Sequence, residues 1–365
     1  MSSATANSSI SIPLAGEPAR RTLLLQALVA GALGVGISLY FWIDSRYPAL
    51  LKKLHSGKGI QVKGALSFDA LMPVTPAMTL MTRIGHTTVN WMWTNRIGMT
   101  FGICFGAAML TLLATLPRIR MKTAAGNTLL GAIGGMPLGV CANCVAPIGR
   151  SLFVAGASTN TVLAAMISSP MLNVVVMAMA FALFPWPIAF VRLAVPLILI
   201  GLVPLIAGKG EAVVAGCAVP ADAGWLHPVT FTLKSYLQNL GRLSLVTVPL
   251  MIVAALLGAA AVELLPASSI PVTVSIGGIV LVALIGTFLP VPMGFDVATA
   301  FFLMARGVPT PYVVTLLCTL GAYSIYSVLI LGRTISWRTA ATLFGAVMLL
   351  GVSVGVGTAL VQHSL

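Results

Sequence analysis

The sequence contains very little charge. Only 7% of its 365 residues are Asp, Glu, Lys or Arg, whereas a soluble domain has about 25%. Its mean hydropathy is +1.04, and 58% of the residues are hydrophobic. This composition excludes an ordinary globular enzyme and indicates an integral membrane protein.

Nucleotide-binding motifs are also absent. The chain has no G-x-x-x-x-G-K-[ST] loop, and no G-x-G-x-x-G follows a strand pattern. Any transport is therefore expected to depend on an ion gradient, an external partner or plain facilitation, and we expect neither enzyme activity nor a cofactor. Apolar runs of roughly 20 residues, without the alternation of an outer-membrane barrel, predict an all-α polytopic membrane protein.

Cysteine and acidic residues are few. The chain has five cysteines, and four of them (Cys104, Cys141, Cys144 and Cys318) lie in apolar segments, which argues against a disulfide framework. The net charge of +13 comes from basic residues scattered through connecting segments. This distribution is typical of membrane topology signals rather than of nucleic-acid binding.

Polar and apolar stretches divide the chain into successive segments. We predict a disordered cytoplasmic N-terminus at 1–21, a first span at 22–43, a polar or interfacial connection at 44–96, a first repeat at 97–207 with a broken hairpin at 124–155, a cytoplasmic linker at 208–241, and a second repeat at 243–361 with a broken hairpin at 272–306.

The two broken stretches align with a shift of 151 residues. The shift pairs Gly135 with Gly286 and Gly156 with Gly307. If both hairpins are re-entrant and the N-terminus is cytoplasmic, most of the basic residues near span ends lie inside. The sequence then predicts an inverted repeat with about seven full spans plus the hairpins, in the cell inner (cytoplasmic) membrane. The main alternative makes every stretch a straight span.

The first hairpin carries a C-x-x-C pair, Cys141 and Cys144. Thiolates bind soft ions well, although buried cysteines also serve as small hydrophobic residues. We treat both as candidate substrate or metal ligands, together with Asn143 in the turn. Ser169 and Asn173, beside a proline in the following span, are further candidates for contact with substrate.

Three ionisable residues lie in apolar segments. A charge at the centre of a membrane helix costs roughly 2.5–3.5 kcal/mol on insertion scales and usually faces protein or a water-filled cavity. Arg150 and Asp296, near the two hairpin tips, are candidates for coupling or gating. Two placements of Arg150 are open: a pair with Asp296 across the tips, or a side chain that snorkels to the cytoplasmic face. A proton-coupling role for Asp296 follows. Arg192 lies near the end of its span and is expected to snorkel.

Prolines interrupt the apolar segments of both halves. A proline removes a backbone donor and frees a carbonyl, so it breaks or kinks a membrane helix. The predicted helix breaks lie at Pro137, Pro147, Pro170, Pro290 and Pro292.

Residues 135–173 resemble the YraQ/ArsP-type permeases. The resemblance rests on Gly135–Leu138, Cys141, Pro147, Gly156–Ser158 and Pro170–Asn173. The family's C-x-C is here C-x-x-C, with Asn143 at the second cysteine position. Studied members export trivalent organoarsenicals, so the resemblance implies an exporter of a thiol-seeking compound or metal species.

Three functions remain in view. The leading expectation is a secondary transporter in the lipid bilayer that exports a small thiophilic substrate, with protons as the coupling ion. The second is a thiol–disulfide electron conductor that uses Cys141 and Cys144. It is disfavoured because the second-half positions that align with them are Pro292 and Phe295. The third is a non-transporting subunit of a membrane assembly. Whether the chain forms a homo-oligomer is left open.

Overall fold

The described structure is a bundle of α-helices. A computed structural model describes residues 17–48, 51, 71–116, 121–207, 226–264 and 273–364. Within these ranges the chain forms helices and connecting turns, and no strand. The predicted all-α class is therefore confirmed. Residues 1–16 of the predicted disordered N-terminus and residues 208–225 of the predicted linker lie outside the described residues. Residues 17–21 and 226–241 are helical, so the first span begins earlier and the linker ends earlier than predicted.

Thirteen α-helices occur in the described ranges. They are α1 Glu17–Phe41, α2 Leu80–Leu113, α3 Ala124–Gly135, α4 Ala142–Val154, α5 Thr159–Met171, α6 Val174–Leu183, α7 Trp186–Ile206, α8 Leu226–Leu264, α9 Ile276–Phe288, α10 Phe295–Ala305, α11 Thr310–Thr319, α12 Ile325–Thr334 and α13 Trp337–Ser364. A π-helical turn, Trp42–Arg46, continues α1, and a 3₁₀ turn, Met136–Leu138, follows α3.

Several helices match the thickness of a bilayer. Five of them (α1, α2, α7, α8 and α13) are long and apolar enough to cross a membrane. The pair α5 and α6, bent by 42° at a short break, makes a sixth. The chain is therefore a multi-pass membrane protein.

Helices α2 and α8 form a long antiparallel pair. At one end Arg83 of α2 forms an ion pair with Glu263 of α8. At the other end Asn239 Nδ2 donates to Thr111 Oγ1 at 3.0 Å. Helix α1 packs against both. This three-helix scaffold supports the shorter helices on one side.

Helix α2 begins earlier than the predicted second span. The sequence predicts that this span starts at residue 97, after a polar segment 44–96. The helix is instead continuous from Leu80. Thr79 caps its start by accepting a hydrogen bond from the Thr82 N–H. The polar residues of 80–96 therefore extend a transmembrane helix instead of separating it from the span.

The helix order recurs with the shift found in the sequence. Helices α6 and α12 start at Val174 and Ile325, and helices α7 and α13 start at Trp186 and Trp337, so each pair differs by 151 positions. The turn after each hairpin contains a glycine with positive φ, at Gly156 and Gly307.

A matched close contact holds each hairpin to the following helix. A side chain at Gly135 would collide with Ser168 of α5, and one at Gly286 would collide with Thr319 of α11. These residues also correspond under the shift of 151. Small residues let helices approach closely in a membrane, where packing replaces the hydrophobic effect as the driving force.

Candidate functional site

The first hairpin breaks between α3 and α4. Helix α3 ends at Gly135, and Pro137 lies in the 3₁₀ turn that follows. Gly139 then adopts a left-handed conformation with φ of +60°, which glycine adopts at low cost. The predicted break is therefore present, whereas Pro147 lies inside the continuous helix α4.

Cys141 and Cys144 form the start of α4. Cys141 is the N-cap, and its Sγ accepts a hydrogen bond from the Cys144 N–H at 3.2 Å. The two residues are joined by a disulfide with Cα atoms 5.1 Å apart. The sequence argued against a disulfide framework, and this bond is a local link within one helical turn.

The glycine stripe of α2, Gly98, Gly102 and Gly106, packs directly on α4. A side chain at Gly98 would meet Cys144 Sγ, and one at Gly102 would meet the Cys144 carbonyl oxygen. The third glycine faces Ser151 and the Pro147 carbonyl. The thiols are consequently shielded, with exposed fractions of 4% at Cys141 and 2% at Cys144.

The second hairpin breaks between α9 and α10. Residues Leu289–Gly294 connect the two helices and include the predicted breakers Pro290 and Pro292. Gly294 has φ of +76° and is the N-cap of α10. Asp296 follows in the first turn of that helix.

The two hairpin tips touch. Asn143 in the first tip is fully buried, and its Nδ2 donates to the Val291 carbonyl in the second tip at 3.0 Å. Its Oδ1 accepts a hydrogen bond from Ser324 Oγ at 2.7 Å. Ser327 Oγ of α12 donates to the Ala142 carbonyl at 3.0 Å. The first tip is therefore held by the second half of the chain.

A corresponding contact holds the second tip. Asn173, the N-cap of α6, contacts Met293 Sδ through its Nδ2 at 2.9 Å. Ser324 is the N-cap of α12 and aligns with Asn173 under the shift of 151. The cap residue in each half therefore contacts the opposite hairpin. Ser169 lies on the first tip instead, where its Oγ accepts from the Val140 N–H at 3.4 Å.

Asp296 pairs with Arg192 rather than with Arg150. Arg192 Nη2 lies 2.6 Å from Asp296 Oδ2, and both side chains are buried. The predicted Arg150–Asp296 pair is wrong, because Arg150 Nη1 instead donates to Thr334 Oγ1 at 3.2 Å. The expectation that Arg192 snorkels is also wrong, since its side chain is 0% exposed. Arg192 lies six residues after the start of α7, and its guanidinium contacts Asp296.

The Arg192 guanidinium is incompletely satisfied. Among the described residues, its Nε and Nη1 have no hydrogen-bond partner. Gly321, at the break between α11 and α12, has φ of +77° and leaves room for the carboxylate of Asp296. The ion pair thus lies where α7, α10 and the break after α11 meet.

Ser324 was not among the predicted site residues, and Arg192 was predicted to lie at the membrane surface. The signal for Ser324 was present, because the shift of 151 aligns it with Asn173, which was a candidate. The partner of Asp296 could not be read from the alignment, because Arg192 corresponds to Leu343 and Asp296 to Val145.

Two cavities lie near the hairpins in the described part of the chain. One cavity of about 250 Å³ lies among α2, α3, α4 and α5, with an almost wholly apolar lining. The other, of about 720 Å³, lies among α1, α2 and α8 and is lined in part by Asp44, Arg96 and Tyr236. Neither is lined by Cys141, Cys144 or Asp296. No group of three metal-ligating side chains occurs in the described part of the chain, so the cysteine pair would act as a two-thiol site.

Comparison with known proteins identifies a distant relative. The chain is 27% identical over 245 residues to the UPF0718 protein YraQ of Escherichia coli (strain K12), and the match covers 67% of this chain and 70% of the relative. No family model and no solved structure matches the chain. The similarity over two thirds of both chains agrees with the motif in residues 135–173 and supports the resemblance to the YraQ-type permeases.

Proposed function

We propose that the chain is an inverted repeat with seven crossings and two re-entrant hairpins. Helices α3, α4, α9 and α10 have 11–13 residues, hence a length of no more than about 20 Å. The hydrocarbon core is about 30 Å thick, so none of them spans it alone. Helices α11 and α12, separated by a five-residue break, make the seventh crossing.

The number of crossings between the hairpins supports the inversion. The α5–α6 pair, α7 and α8 lie between them, which gives three crossings. An odd number brings the second hairpin in from the opposite side. The positive-inside rule orients the N-terminus to the cytoplasm of a cell inner membrane, as the distribution of basic residues predicts.

The best-supported function is secondary transport through a site between the tips. The observation that carries it is the contact of Asn143 with Val291, which brings a C-x-x-C helix start against a second broken helix. Substrate sites of inverted-repeat transporters lie at such breaks. Once a cellular thiol has reduced their disulfide, the thiols of Cys141 and Cys144 favour a soft, thiol-seeking metalloid, metal or organometal compound as the exported substrate.

Protons are the proposed coupling ion, and Asp296 is the proposed proton carrier. A buried ion pair is costly to form in a membrane, and intramembrane acids commonly belong to proton pathways. Protonation of Asp296 would remove its charge and release Arg192, which joins the first half to the second hairpin. Arg150, which bonds to Thr334, is a secondary gating candidate between α4 and α12.

Accumulation of soft metals and organometals in cells tests this proposal. Cells with the wild-type protein are expected to accumulate less of at least one such compound than cells with a Cys141→Ser, Cys144→Ser variant. Cys217→Ser is the matched control, because Cys217 lies in the predicted linker 208–241 and not in either hairpin sequence. Equal accumulation of every tested compound in the wild type and the double variant would exclude a thiol-binding substrate site.

The disulfide of Cys141 and Cys144 supports one alternative, a thiol–disulfide electron conductor. That function needs an acceptor thiol toward the other face. The described second hairpin has Pro292 and Phe295 at the aligned positions. A redox-dependent change in cysteine state with unchanged substrate accumulation would favour this alternative.

A further inference from the structure

Two tryptophans outside the hairpins hold the two breaks in the same way. Trp42, in the π-helical turn after α1, donates its indole N–H to the Pro137 carbonyl at 3.2 Å. Trp91 of α2 donates its indole N–H to the Pro290 carbonyl at 2.6 Å. Pro137 lies two residues after Gly135, where α3 ends, and Pro290 lies two residues after Phe288, where α9 ends. The indoles thus satisfy carbonyls that the breaks expose.

The two contacts differ in how firmly they are held. Trp91 is 8% exposed and lies on the long scaffold helix α2. Trp42 is only partly buried, its hydrogen bond is longer, and it lies on a π-helical turn. Such turns are uncommon and occur frequently at functional sites. Trp42 is therefore the more easily released of the two.

Trp42 lies directly over the approach to the thiols. A side chain at Gly139, two residues before Cys141, would have its Cβ 3.2 Å from Cζ2 of the Trp42 ring and 3.6 Å from Nδ2 of Asn173. The ring therefore covers the left-handed turn that leads into the C-x-x-C.

A large cavity lies on the other side of the same segment. Phe41 and Asp44, which flank Trp42, line the cavity of about 720 Å³. Phe41 stacks on Phe101 of α2 with ring centroids 4.0 Å apart. On α2, Ile97 and Phe101 face the cavity while Gly98 contacts Cys144. Phe41 and Phe101, which line the cavity, belong to the same hydrophobic cluster as Cys141 and Cys144.

We infer that Trp42 is a gate that closes the C-x-x-C tip off from the cavity among α1, α2 and α8. The π-helical turn is the hinge, and the cavity is the vestibule that opens onto the thiols when the indole leaves Pro137. Trp91 is the fixed anchor of the opposite tip. This inference names the access route to the site in the proposed transport function, and it rests on that function.

Alkylation of the thiols tests the gate without a transport assay. The purified full chain in lipid nanodiscs is reduced with dithiothreitol and treated with N-ethylmaleimide, and modification of Cys141 and Cys144 is followed by peptide mass spectrometry. Removal of the ring in Trp42→Ala is expected to raise the rate at least about tenfold. Trp42→Phe keeps a ring but loses the hydrogen bond, and is expected to raise it about three- to tenfold.

Matched controls separate gating from general loosening. Trp186→Ala removes an exposed tryptophan and is expected to leave the rate unchanged. Cys318 is 0% exposed and should stay unmodified in every variant. If Cys318 also reacts in Trp42→Ala, the Trp42→Phe variant decides between the two explanations. Faster modification of Cys141 and Cys144 in that variant, with Cys318 unmodified, supports the gate. An unchanged rate of their modification overturns it.

The two proposals can fail separately. If both Trp42 variants are alkylated at the wild-type rate, the gate is excluded. A thiol-dependent difference in metal accumulation would still support the transport site. Equal accumulation in cells with the wild type and cells with the Cys141→Ser, Cys144→Ser variant removes the transport site. Faster alkylation in the Trp42 variants would still show that the indole covers the thiols.

Discussion

At the scale of single residues, the ion pair of Arg192 and Asp296 distinguishes the two halves. The positions that correspond to them are Leu343 and Val145, both almost fully buried. The corresponding positions of the two halves therefore hold apolar side chains in one case, Leu343 and Val145, and opposite charges in the other, Arg192 and Asp296. A buried ion pair seldom adds stability over apolar residues of similar size, so its presence in one half favours a functional role.

Single and double substitutions of this pair are expected to differ in stability. Arg192→Leu alone leaves the Asp296 carboxylate without its partner and should cost about 3–5 kcal/mol. The double variant Arg192→Leu, Asp296→Val copies the other half and should recover most of that loss. Thermal unfolding in detergent measures the difference, and a double variant no more stable than the single ones would contradict the packing argument.

Asp296 also allows a test of coupling. Asp296→Asn keeps the shape and a hydrogen-bond acceptor for Arg192 but cannot carry a proton as a carboxylate does. Export of any substrate found for the wild type should lose its dependence on the proton gradient. Uptake into everted vesicles with and without a protonophore is the measurement, and unchanged dependence in the variant would remove Asp296 as the carrier.

At the scale of helices, the glycine stripe of α2 sets the position of the C-x-x-C. Gly102→Ala would place a methyl group against the Cys144 carbonyl, and overpacking of this kind typically costs about 1–3 kcal/mol. Gly85→Ala in the same helix meets nothing within 4 Å and should be neutral or stabilise by up to about 1 kcal/mol. Unfolding temperatures of the two variants check this, and equal destabilisation of both variants would contradict the role of the Cys144 contact.

The helices also show what the sequence could predict. Both broken hairpins followed from Pro and Gly in apolar runs, because these residues interrupt helices whatever their surroundings. The break between Leu320 and Ser324 was not predicted, since it depends on a single glycine with positive φ. The pairing of Arg192 with Asp296 required the packing of α7 on the second hairpin, and residues 104 positions apart give no local signal for it.

At the scale of the whole molecule, the seven proposed crossings would place the two termini on opposite sides. A green fluorescent protein fused to the N-terminus should fluoresce, because it folds in the cytoplasm. Alkaline phosphatase fused after Ser364 should be active, because it folds outside. An inactive C-terminal phosphatase, with a fluorescent C-terminal fusion, would mean an even number of crossings and would rule out the proposed inversion.

One sulfur atom links occupancy of the site to the shape of the hairpin. Cys141 Sγ accepts the N–H of Cys144 and so caps α4, and loss of an N-cap typically costs about 1 kcal/mol. A substrate bonded to that sulfur competes with the cap for the same lone pairs. Loading would therefore loosen the first turn of α4 and unloading would restore it, so the chemistry of capture itself supplies a conformational signal.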